Sequence, residues 1–76
     1  MSEPDLVAQA AALAAEETAL RERLRSLEDD LHSLLRRGAH ASADRADSIE
    51  REIRKIVLRL VEIEREQIEL RIAASL

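Results

Sequence analysis

The residues with the greatest chemical potential in this chain are two histidines, each close in sequence to an aspartate. Asp29 stands three residues before His32, and Asp44 four residues after His40, spacings that place two side chains on one face of a helix. A metal ion needs more ligands than one such pair supplies, so we expect no metal site. Ser33 directly follows His32, and neighbouring helical side chains diverge by about 100°, which prevents a nucleophile–base pair.

The amino-acid composition excludes most other kinds of catalytic, metal-binding and ligand-binding site. The chain has 76 residues with no Cys, Trp, Tyr or Phe and a single Gly. It therefore has no disulfide framework, no thiolate zinc site, no Gly-rich phosphate loop and no aromatic platform on which single-stranded nucleic acid stacks. We predict that the protein is not an enzyme, has no catalytic residues and needs no cofactor.

The net charge of −4 comes from 12 basic and 16 acidic residues, unevenly distributed. Residues 36–59 hold seven bases and four acids, whereas the flanking segments are acidic. The acidic balance argues against nucleic acid as a partner. The basic middle segment keeps open the alternative of a nucleic-acid-associated factor with a basic tip.

The acidic N-terminal sequence and the short apolar runs predict a cytoplasmic protein with no membrane association. Eleven Arg against one Lys, with abundant Ala, is typical of GC-rich genomes and suggests a bacterial source.

The apolar pattern predicts two long helices in one domain, residues 1–76. In the first, residues 4–37, leucine recurs every seven residues, and Ser2 is the expected cap. Gly38 suits the end of that helix and opens a turn at residues 38–43. The second helix, residues 44–74, is capped by Ser42 or Asp44. The stripes are Leu6, Ala10, Leu13, Glu17, Leu20, Leu24, Leu27, Leu31 and Leu34, then Ile49, Ile53, Ile56, Leu60, Ile63, Gln67, Leu70 and Ala74.

The two stripes mirror each other about the turn. Folding the chain back places Leu34 opposite Ile49, Leu27 opposite Ile56 and Leu20 opposite Ile63. We therefore predict an all-α fold, an antiparallel two-helix coiled-coil hairpin. A continuous helix pairing with an antiparallel second copy gives the same facing residues and is the alternative. The same register pairs Glu17 with Gln67, which we interpret as a polar layer that fixes register.

The second helix carries more apolar residues than one stripe needs. Val57, Val61, Ile68 and Ile72 form a second ridge, next to Leu58. We expect this ridge to be the partner face, first of a homodimer that forms a four-helix bundle, and also of a helix from a client protein.

The stretch Asp29-x3-Ser33-x2-Arg36-x3-His40-x3-Asp44 resembles a helix motif of actinobacterial anti-sigma factors that bind cyclic di-GMP, with Asp and His where the motif has Glu and Gln. The resemblance implies a hairpin that holds a sigma factor, with Arg36 and Asp44 contacting guanine and phosphate and Ser33 assisting. Asp44-Arg45-Ala46 also looks like the coiled-coil tip of factors that enter the RNA polymerase secondary channel. The leading prediction stays a non-enzymatic protein–protein interaction module: a small regulator, adaptor or assembly subunit.

Overall fold

A computed structural model describes residues 5–38 and 43–76 of the chain. Within these residues the structure is all-helical, with α1 at Leu6–Arg36 and α2 at Ala43–Ser75. The two helices pack against each other along a rod of 56 × 21 × 15 Å. Glu16 contacts Arg59 while Arg23 contacts Glu52, so residue numbers rise along α1 as they fall along α2. The predicted antiparallel hairpin is therefore confirmed within one chain.

The first helix begins later than the sequence predicted. Asp5 is its N-cap, and the carboxylate oxygen Oδ1 accepts hydrogen bonds from the backbone N–H groups of Val7 and Ala8 at 3.0 and 3.3 Å. Such bonds satisfy donors that the helix itself leaves unpaired. The predicted cap Ser2 and the predicted first helical residue Pro4 both lie outside the described part of the chain.

The end of α1 matches its sequence signal. Gly38 follows the C-cap residue Arg37 with a φ of 93°, a left-handed conformation that costs little only for glycine. Its N–H donates to the carbonyl of Leu35 at 3.3 Å, which satisfies one of the last acceptors of the helix. The turn residues 39–42, including His40 and the alternative cap Ser42, lie outside the described residues.

The core follows the predicted stripes. Leu27, Ile49, Ile56 and Ile63 are buried, and Ile63 is 0% exposed. Six half-buried residues pack around Leu27, Ile49 and Ile56: Leu20, Leu24, Leu31, Leu34, Ile53 and Leu60. Each of these side chains belongs to one of the two stripes, so the seven-residue spacing alone determined the packing face of both helices.

The stripe positions at the open end of the hairpin are not buried. Ala10 and Ala74 are both exposed, although they extend the stripes of α1 and α2. Alanine projects a single methyl group, too short to fill the space between two helices that have no third element to cover them. Leu13 and Leu70, beyond the Glu17 and Gln67 layer, are half-buried, so burial decreases gradually toward the open end.

Candidate functional site

The most unusual surface of the hairpin is an apolar stripe on α2 that the core does not use. Val57, Val61, Ile68 and Ile72, here called the apolar face, are 44%, 58%, 46% and 57% exposed. They follow one another at intervals of four, seven and four residues, so they line one side of the helix. Leu58, beside this face, is 65% exposed. Contiguous exposed apolar residues are a feature that many protein–protein interaction surfaces share.

A groove separates the apolar face from α1. Val57, Val61 and Ile68 form its apolar side, while Glu17 and Arg21 of α1 contribute charged groups. Its volume is about 350 Å³, and the remaining lining residues are Leu60, Glu64, Gln67 and Arg71. An apolar stripe bordered by charged groups has the composition of a protein–protein interface, in which a polar rim surrounds a dry centre.

The polar layer lies at the edge of this groove. Gln67 Nε2 donates to Glu17 Oε1 at 3.4 Å, and Arg21 Nη2 donates to Glu17 Oε2 at 3.1 Å. The hydrogen bond from Arg21, followed by that from Gln67, holds the pKa of the Glu17 carboxyl below its ordinary value. The charge of Glu17 is therefore satisfied inside the chain, which fits a register-fixing pair better than a ligand-binding one.

The opposite edge of the hairpin carries ion pairs between the helices. Arg59 binds Glu16 through two hydrogen bonds, from Nε at 2.7 Å and from Nη2 at 2.8 Å. Arg23 binds Glu52 in the same two-bonded manner at 3.1 and 3.3 Å. Arg59 also reaches Glu66 at 3.4 Å on its own helix. The two long edges are thus chemically different: one is joined across the helices by charge, and the other is apolar.

Arg59 and Glu16 reinforce each other's ionised forms. The hydrogen bond from Arg59 lowers the pKa of the Glu16 carboxyl, against a smaller opposing effect of desolvation. Conversely, the hydrogen bond to Glu16 raises the pKa of the Arg59 guanidinium. These ion pairs were not predicted from the sequence. A signal was present, because a charged residue directly precedes a stripe position at Glu16, Arg23, Glu52 and Arg59.

Near the turn, three residues of the predicted nucleotide motif lie together. Asp29, Ser33 and Arg36 line a shallow groove of about 390 Å³ with His32. Asp44 is not among the lining residues and lies on α2, because α1 ends at Arg36. His40 lies outside the described residues. The motif is therefore divided between two helices in this chain.

The basic segment is also distributed differently from the expected basic tip. From Arg36 to Glu52, four bases are matched by four acids. The excess of positive charge lies farther along α2, at Arg54, Lys55 and Arg59, and Arg59 is engaged by Glu16. The part of the hairpin nearest the turn therefore has no surplus of basic residues.

Sequence reasoning also passed over two exposed apolar residues of α1. Val7 is 78% exposed and Leu35 is 67% exposed, and each directly follows a stripe leucine. Val7 lines an apolar groove of about 370 Å³ at the open end of the hairpin. The other lining residues are Leu6, Ala10, Gln67, Leu70, Arg71 and Ala74.

Within residues 5–38 and 43–76, no group of three or more His, Cys, Asp or Glu side chains is placed to hold a metal ion. Over the same residues, neither helix has a stretch that is both long and apolar enough to cross a membrane. Comparison of the chain with protein-family models, with curated proteins and with solved structures finds no match.

Proposed function

We propose that this chain is a non-enzymatic protein-interaction module, a small regulator, adaptor or assembly subunit, which binds helices through the apolar face of α2. The observation that carries this proposal is the exposure of all four residues of that face, between 44% and 58%. Because each side chain is already about half buried, covering its exposed remainder stabilises an association by about 0.7–1.5 kcal/mol. A helix laid along the face covers all four at once.

The size of the core supports a partner. Within the described residues only Leu27, Ile49, Ile56 and Ile63 are buried, a small core for a chain of 76 residues. Small domains commonly gain the missing apolar burial by association. We propose that the first occupant of the apolar face is a second copy, which gives a homodimeric four-helix bundle. A client helix is the alternative occupant of the same face, since a second copy would cover all four of its residues.

The test uses two charged variants that differ only in the side of the hairpin they alter. Val61→Glu,Ile68→Glu places two carboxylates on the apolar face. Ala19→Glu,Ser26→Glu places two carboxylates with the same spacing on exposed α1 positions beside the ion-pair edge. Light scattering should give twice the 8.6 kDa chain mass for the wild type and the control, and the chain mass for the first variant. A wild-type monomer that binds no helical client would refute the proposal.

A second candidate function is suggested by the groove that Asp29, Ser33 and Arg36 share. A guanidinium binds phosphate through paired hydrogen bonds, and a carboxylate accepts from the guanine edge, so this groove suits a guanine nucleotide. Isothermal titration with cyclic di-GMP tests the candidate. We expect heat from the wild type and none from Arg36→Ala, and absence of heat from both excludes the candidate.

A further inference from the structure

The spacing of the apolar face is symmetric along α2. Val57 precedes Val61 by four residues, and Ile68 precedes Ile72 by four residues. The midpoint of both the inner and the outer pair lies between Glu64 and Arg65. A contact with two-fold symmetry sets residue i against residue j and residue j against residue i. A helix that pairs with an antiparallel copy of itself therefore needs such a palindromic spacing.

This symmetry selects one register. With the two-fold axis between Glu64 and Arg65, Val57 packs against Ile72 of the partner subunit and Val61 against Ile68 of the partner subunit. Sliding one helix by four residues instead sets Val61 against a glutamate, Glu64, and brings Arg54 close to Arg71. Only the symmetric register joins all four apolar residues to apolar residues.

The other edge of the hairpin offers no comparable surface. There Arg23 and Arg59 are engaged by glutamates of the opposite helix. A second copy approaching that edge would have to displace these pairs, whereas on the apolar side it covers exposed valines and isoleucines. The chemistry of the two edges therefore directs self-association to one side of α2.

We propose that the occupant of the apolar face is α2 of a second copy, antiparallel, with the two-fold axis between Glu64 and Arg65. This inference rests on the proposed function, because it specifies how the second copy lies on the same face. It adds a register that other modes of helix binding do not require.

Disulfide trapping tests the register directly, since the chain has no cysteine of its own. In Val61→Cys,Ile68→Cys the two thiols of one helix are too far apart to bond with each other. In the proposed register, however, the thiol at position 61 faces the thiol at position 68 of the partner subunit. Mild oxidation should convert most of this variant to a covalent dimer. The matched control Val57→Cys,Ile68→Cys carries the pair that a four-residue slip would join, and it should stay largely uncrosslinked.

Light scattering on the reduced samples separates the two proposals. Dimers that crosslink in the control and not in the first variant would overturn the register and leave the helix-binding face standing. A monomeric wild type would overturn the second copy as occupant, while binding of a client helix to the monomer would preserve the proposed function.

Discussion

Arg59 of α2 donates hydrogen bonds to both carboxylate oxygens of Glu16 on α1, from Nε at 2.7 Å and from Nη2 at 2.8 Å. Paired hydrogen bonds of this kind fix the relative position of two side chains more tightly than a single bond does. Glu16 and Arg59 thus help to set how far one helix has slid along the other.

Reversing this pair provides a first prediction. Glu16→Arg or Arg59→Glu alone sets like charges together across the helices and should lower the melting temperature by several degrees. The double variant Glu16→Arg,Arg59→Glu should recover part of the loss, because it restores opposite charges across the helices but sets the carboxylate at position 59 beside Glu62 and Glu66. Circular dichroism melting at low salt measures the effect. Equal losses in the double and single variants would contradict a direct interaction.

The same pair predicts a response to acid. The pKa of Glu16 is lowered in the folded chain, first by the hydrogen bond from Arg59. A carboxyl with a depressed folded pKa stabilises the fold above its unfolded pKa, and this contribution is lost as the pH falls through the folded pKa. We expect the free energy of unfolding to decrease below about pH 4.3, and to decrease less in Glu16→Gln. Urea titrations across this range, showing identical pH dependence in both proteins, would contradict the prediction.

The polar layer provides a third prediction. Glu17→Leu removes a half-buried carboxylate from the stripe and should raise the melting temperature while loosening the register. Glu17→Gln keeps a polar side chain that still bonds Gln67, and serves as the control for register. Melting curves combined with disulfide trapping on each background measure both effects. A large loss of stability in Glu17→Leu would show that the layer has a different role.

Gly38 provides a fourth prediction. Its φ of 93° is unfavourable for any residue with a side chain, and among the described residues other than its chain neighbours no atom lies within 4 Å of where a Cβ would stand. Gly38→Ala should therefore destabilise the fold by about 1 kcal/mol through backbone conformation alone. Gly38→Asn should recover part of this loss, because asparagine tolerates the left-handed region better. Denaturant titration measures the difference, and an unaffected alanine variant would contradict the assigned conformation.

The two sides of α2 provide a fifth prediction. Ile63 is fully buried, so Ile63→Ala should lower the free energy of unfolding by about 2–5 kcal/mol. The same substitution at the exposed Ile72 should mainly weaken self-association, and its effect on the melting temperature should depend on protein concentration. Melting at two concentrations separates these outcomes. Equal losses at both sites would contradict the division of α2 into a core side and a partner side.

The sequence was sufficient for the parts of the fold that depend on periodic apolar residues. Leucines seven residues apart and the mirrored isoleucines predicted which side chains would meet, and Leu27, Ile56 and Ile63 are buried accordingly. The pattern is strong because burial on one helix face dominates the energetics of a hairpin. The exposure of the second ridge followed from the same reasoning, since one neighbouring helix covers one stripe only.

Details that depend on single polar contacts were less predictable. Ser2 and Asp5 are both good caps, and the choice between them depends on local backbone geometry that spacing does not encode. The pairing of Glu16 with Arg59 required the exact stagger of the helices, because long charged side chains reach several partners. Nothing in the periodic pattern distinguished Ala10 and Ala74 from buried stripe positions, since burial there depends on how the helix ends are covered.

The apolar face lies toward one end of α2, and this asymmetry shapes the proposed dimer. Setting Arg54 beside Ser75 of the partner subunit leaves residues 43–53 of each α2 projecting beyond the overlap by about 16 Å. The turn ends of the two hairpins then point in opposite directions, with residue 43 of one subunit about 64 Å from residue 43 of the other. Any contact that one tip makes is available twice at a fixed separation, so the dimer would act as a bivalent spacer.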